Sequence, residues 1–122
     1  MTPPQSLSVA RALALAAAGL ALALPSSAKE WRVFLLAGQS NMEGVGLAAE
    51  APANLLSQPE IKLYHSPSVH AAAPPNQWNP LGPAGHSASH FGPELSLAYR
   101  LAEAFTNANI ALVKHAKGGT KL

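Results

Sequence analysis

Two short apolar runs, Val33-Phe34-Leu35-Leu36-Ala37 and Ile110-Ala111-Leu112-Val113, constrain this chain more than any other feature. Each is rich in strand formers and is followed by glycine, at Gly38 and at Gly118-Gly119. A run that is apolar at every position, rather than at every second one, reads as a strand covered on both faces, and such strands belong to parallel sheets. Between the two runs the spacing predicts one amphipathic helix from about Pro93 to Phe105. Leu95, Ala98, Ala102 and Phe105 recur at helical intervals, with Arg100 and Glu103 on the other side. Gly92 reads as the N-cap, Pro93 as the first helical residue, and Glu94 as a carboxylate facing the positive end of the helix dipole. Strand, long excursion, helix, strand is the order of a parallel crossover. That connection brings the C-terminal ends of both strands, with their glycine turns, to one edge of the sheet, where open α/β sheets take their ligands.

The remainder of the chain is organised around these elements. Residues Glu50 to Pro93 contain eight of the eleven prolines, so most of this stretch is expected to be loop, with Ile61-Lys62-Leu63-Tyr64 as a short strand at a sheet edge. At the other end, a polar stretch closing at Arg11 precedes 13 unbroken Ala, Leu and Gly residues, Ala12 to Leu24, and then Pro25-Ser26-Ser27-Ala28. This is the pattern of a secretory signal, expected over residues 1–28, and it implies a secreted or periplasmic protein. The run is shorter than the roughly 20 residues a membrane-spanning helix needs, so no membrane association is expected after cleavage. Residues 29–122 then form one small domain. With no cysteine, the 122-residue chain has neither disulfides nor a thiolate site. Its formal charge of +2 comes from scattered side chains rather than a basic stripe, which argues against nucleic acid as a partner. All six acidic residues are glutamate, so no aspartate can enter a catalytic or metal-binding set.

The sharpest chemical signal is Gly38-Gln39-Ser40-Asn41-Met42, directly after the first apolar run. Gly38 can adopt backbone angles closed to other residues, which would let the chain turn sharply and present Ser40 at the strand's end. A serine hydroxyl becomes a nucleophile when a neighbouring base takes its proton, and the N–H groups of a tight turn can hold the oxyanion that its attack creates. Gly-Gln-Ser-Asn also occurs in loops that do no chemistry. The five histidines, His65, His70, His86, His90 and His115, show no metal-ligand spacing, so neither a metal nor another cofactor is expected. His90 and His115 read as packed or surface residues rather than as bases.

Val33 to Gly46, VFLLAGQSNMEGVG, resembles the first block of the sialate O-acetylesterase-like branch, carbohydrate esterase family six, of the SGNH hydrolases. Two further stretches agree in order: His90 to Leu95, HFGPEL, and Ile110 to Leu122, IALVKHAKGGTKL; the patch Trp78-Asn79-Pro80-Leu81 is a weaker fourth. The resemblance implies a three-layer α/β/α sandwich around a parallel sheet, flavodoxin-like in layout. It also implies removal of acetyl groups from carbohydrate, and Ser40 as the nucleophile. Gly118 and Gly119 fall where the family has the glycine block bordering the active site, so either could supply an oxyanion N–H or simply end the strand. Gln39 and Asn41 would line the pocket or brace the turn. In that family the base comes from a late Asp-x-x-His block. The expectation is therefore that these 122 residues are the N-terminal part of such an esterase, truncated after the second main strand and inactive alone. The alternatives are a noncatalytic carbohydrate-binding pseudoenzyme, in which Trp31, Tyr64 and Trp78 stack on sugar rings, and a fragment with no function of its own.

Overall fold

The computed structural model describes residues 28–120, and the expected signal segment lies outside them but for Ala28. The first strand, β1, spans Glu30–Gly38 and leads through Gln39 into a single helical turn, α1, Ser40–Glu43. The proline-rich excursion follows. It holds β2 (Gly46–Leu47), a short turn α2 (Ala53–Leu56), β3 (Gln58–His65), β4 (His70–Ala71), β5 (Trp78–Leu81), β6 (Ala84–Gly85) and β7 (His90–Phe91). The long helix α3 spans Glu94–Ala104, and β8 spans Ala108–Ala116.

Four strands make the main sheet, in the order β1-β8-β3-β5. The first three are mutually parallel, and β5 pairs antiparallel with β3. The sheet is therefore mixed, where a wholly parallel one was expected. Pro80 explains why β5 closes the sheet: proline has no N–H to give a further neighbour and is confined to sheet edges. The same pairing moves Ile61–Tyr64 from its expected edge position to the interior, between β8 and β5. The prolines broke the excursion into short pieces without abolishing strand pairing, since β2 pairs with β7 and β4 with β6.

The core lies on one face of the sheet. Alternation puts Leu36 of β1, Ile61 and Leu63 of β3, Leu81 of β5, and Ile110 and Leu112 of β8 on that face, where Leu95 and Ala98 of α3 cover them. Leu101 and Phe105 complete the inward side of α3, whereas Ala102, expected there, is exposed. Arg100 and Glu103 form an ion pair of 2.8 Å on the solvent side. On the other sheet face Trp31, Val33 and Leu35 are 52%, 53% and 79% exposed. The expectation that β1 is covered on both faces is thus corrected. Among the described residues it is an edge strand, and α3 covers one side of it only.

Candidate active site

The in-register pairing of β1 with β8 ends at Gly38 opposite Ala116, and the Lys117 N–H donates to the Gly38 carbonyl at 3.2 Å. The two glycine-bearing turns therefore leave the sheet side by side. On the first turn, the Glu43 N–H donates to the Gln39 carbonyl and the Gly44 N–H to the Ser40 carbonyl, both at 2.8 Å, so α1 is closed by backbone bonds alone. Ser40 is exposed at its start. The residue that needs unusual backbone freedom here is Gly44, with φ +94°, rather than Gly38. A Cβ on Gly44 would lie 2.2 Å from the Gly92 Cα, because the chain leaving α1 runs against the chain entering α3. At Gly38 the requirement is room: a Cβ would meet that of Met42 at 2.9 Å.

A cavity of ≈550 Å³ opens at this edge, with Ser40, Glu43, His70, His86, Lys117 and Gly118 among its walls. Of the residues expected at the site, Ser40 and Gly118 line it. Gln39 and Asn41 are exposed on either side of Ser40, and Gly119, with φ +76°, turns the chain beyond. The Gly118 N–H is already engaged, donating to Glu43 Oε2 at 2.8 Å. That oxygen also faces His86 Nδ1 at 3.7 Å. A Cβ placed on Gly118 would stand 2.7 Å from the same oxygen and 3.8 Å from the Ser40 Cβ, so serine, glycine, glutamate and histidine form one constellation. Among the described residues, no group of three or more histidine or acidic side chains could hold a metal ion.

Beneath the cavity lies a buried ion pair. Lys114 and Glu94 side chains are both fully buried, and the Lys114 ammonium donates to Glu94 Oε2, to the Ala84 carbonyl, and to the Glu43 carbonyl at 3.0 Å. Glu94 also accepts from the Gly92 N–H at 3.0 Å and the Ala84 N–H at 3.1 Å. One cation thus joins the end of the serine turn, the strand just before His86 and the head of α3. Burial holds the Lys114 ammonium below the usual lysine range, opposed by the neighbouring Glu94 carboxylate. The expected cap is corrected, since the helix begins at Glu94 with Pro93 rather than Gly92 as its cap; Glu94 stands in the first turn, as expected, and its carboxylate also faces inward to Lys114.

Sequence reasoning missed Lys114, Glu43 and His86. For Lys114 a signal existed. Positions 110, 112, 114 and 116 of β8 share one sheet face, and three of them are apolar, so a lysine among them has to be buried and paired. No local pattern could announce Glu43 and His86, which come together although most of the proline-rich excursion lies between them.

The family described as carbohydrate esterase, sialic acid-specific acetylesterase, matches residues 30–122. The chain belongs to this family. No curated protein and no solved structure matches it significantly. The sialic acid-specific acetylesterase family is one of hydrolases acting on esters, and such an enzyme takes acetylated carbohydrate as its substrate. The matched region contains β1, the serine turn, the excursion, α3 and β8. The aromatic side chains considered for sugar stacking lie elsewhere: Trp31 and Trp78 line a separate groove with Val33, Lys62 and Ala111 on the uncovered sheet face.

Proposed function

We propose that this protein is a secreted serine acetylesterase that removes acetyl groups from carbohydrate, with Ser40 as its nucleophile. The observation that carries this reading is the exposed Ser40 at the C-terminal end of β1, on the wall of the cavity it shares with Gly118. Ser40 Oγ would attack the acetyl carbonyl, and the sugar oxygen would leave with a proton. Water would then release acetate from the acyl-serine, restoring the hydroxyl. The first N–H groups of α1 would support the oxyanion, with Gln39 and Asn41 flanking it. The reading includes the SGNH three-layer sandwich, in which further helices would cover the sheet face bearing Trp31, Val33 and Leu35. Secretion is supported by the leader pattern of residues 1–28.

The test is covalent. A fluorophosphonate should phosphonylate Ser40, seen by peptide mass spectrometry, and the Ser40→Ala variant should lose both this adduct and acetate release from O-acetylated sialic acid. Undiminished acetate release by Ser40→Ala, or an adduct only on other serines, would overturn the assignment.

A further inference from the structure

We propose that Glu43 is a positioning residue for Ser40: by accepting the Gly118 N–H, its carboxylate holds the serine turn at a fixed separation from the glycine turn that borders the same cavity. This rests on the reading of Ser40 as nucleophile and adds what sets the place of its hydroxyl.

Helix α1 is four residues long and has no side-chain cap. Helices far shorter than about 12 residues do not persist by themselves, so the turn that carries Ser40 has to be held from outside. Three hydrogen bonds reach it and its approach from β8 and the residues just after that strand. The Lys117 N–H donates to the Gly38 carbonyl at 3.2 Å, ahead of the turn. The Lys114 ammonium donates to the Glu43 carbonyl at 3.0 Å, at its end. The Gly118 N–H donates to Glu43 Oε2 at 2.8 Å. Two of the three therefore meet at Glu43, one on its main chain and one on its side chain.

The side-chain bond is the one that spans from turn to turn. The Glu43 carboxylate is 8% exposed, and His86 Nδ1 at 3.7 Å is too distant for a hydrogen bond, so the Gly118 N–H is the group that orients it. A bond to an ionised acceptor is roughly twice as strong as one between neutral groups, which suits a single link that must fix a short turn. The fit is close on both sides. A Cβ placed on Gly118 would stand 2.7 Å from Oε2 and 3.8 Å from the Ser40 Cβ, so the space between the turns admits this bond and no side chain at 118. Ser40, Glu43 and Gly118 all line the cavity, and a shift of one turn against the other would change the shape of the wall on which the hydroxyl sits. The Lys114 bond, being to the main chain, does not depend on which side chain stands at position 43. Substitution there removes the link to the glycine turn alone.

The experiment measures, in the full chain, the rate of fluorophosphonate labelling of Ser40 and the amide hydrogen exchange of Gly118 by nuclear magnetic resonance. It compares wild type, Glu43→Ala, Glu43→Gln, Gly118→Ala, and Gly118→Ala combined with Glu43→Ala. A misplacement of about 1 Å can cost on the order of 10²-fold in rate, so Glu43→Ala should slow labelling by at least about 10-fold. Exchange at Gly118 should quicken by at least about 10-fold in the same variant, as a bond of this strength is lost. Glu43→Gln keeps an oxygen able to accept from Gly118 and should stay within about threefold of wild type in both readings, a rescue that the loss of packing alone would not predict. Gly118→Ala displaces the carboxylate from the other side and serves where Glu43→Ala does not fold. It too should slow labelling, and adding Glu43→Ala to it should slow labelling no further, since the two changes break one bond. Wild-type labelling in Glu43→Ala or in Gly118→Ala, unchanged Gly118 exchange in Glu43→Ala, a Gln variant as slow as the Ala variant, or strictly additive slowing would each overturn the proposal while leaving Ser40 as the nucleophile. Failure of wild type to be labelled at all would instead overturn the reading of Ser40, and the proposal with it.

Discussion

Replacing Lys114 with methionine would keep most of the side chain's volume while deleting the ammonium that three segments share. Left behind would be a Glu94 carboxylate with no exposure and no cation, together with the Ala84 and Glu43 carbonyls, each short of a donor. Breaking one side of a buried ion pair costs about 3–5 kcal/mol, because the remaining charge is stranded where water cannot reach it. The Gly92 and Ala84 N–H groups still bond to Glu94, which argues for the lower half of that range. Small domains shift by about 4–8 °C in Tm per kcal/mol, so Lys114→Met should melt at least about 12 °C below wild type. Adding Glu94→Gln should recover part of the loss. The amide oxygen can still accept from Gly92 and Ala84, and no unpaired charge remains. A double-mutant cycle in urea, followed by far-ultraviolet circular dichroism, should therefore show coupling of at least about 1 kcal/mol. A Tm change below about 4 °C for Lys114→Met, or strictly additive effects, would refute the claim that this pair holds the serine turn, β6 and α3 together.

Two further outcomes follow from the same geometry. Because burial holds the Lys114 ammonium below its ordinary value of 10.5, the unfolded chain binds more protons than the folded one between those two values. This group's contribution to stability should accordingly rise as the pH climbs toward 10.5. Unfolding free energies at pH 8 and 10 for wild type and for Lys114→Met with Glu94→Gln would check the sign, and a contribution that falls with pH would contradict it. Gly44→Ala should cost clearly more than Gly119→Ala. Both have positive φ, which carries about 1–3 kcal/mol of strain, but only at Gly44 would the added carbon strike backbone, 2.2 Å from Gly92 Cα. Equal losses in urea unfolding would show that conformation alone sets the requirement.

The residues expected at the site show where legibility stopped. Ser40 could be found because its signal is local: a serine in a tight turn directly after an apolar run has few places to go but the end of a strand. The meeting of that turn with Gly118 was also readable, since it needs only two parallel strands in register. The partition of roles around them was not. Gly118 was read as either an oxyanion donor or a strand end; its N–H is engaged by Glu43, and whether a donor is spent depends on a side chain 75 positions away. Likewise Glu94 has a sufficient local explanation in the helix dipole, and nothing near it in the sequence announces the lysine that takes its charge.

The order of residues settles the periodic and the local: the apolar runs that become β1 and β8, the amphipathic spacing of α3, and the glycine-bounded serine turn. These follow from backbone sterics and the burial of apolar side chains, which act over a few residues. It took the assembled fold to show that, among the described residues, β1 is an edge with one face open, that β3 is interior, and that β5 runs antiparallel beside it. It alone brought Lys114 to Glu94, and Glu43 to His86 and Gly118. Hydrogen bonds and ion pairs are short-ranged in space but indifferent to chain separation, so their partners exist only once the fold has brought them within reach.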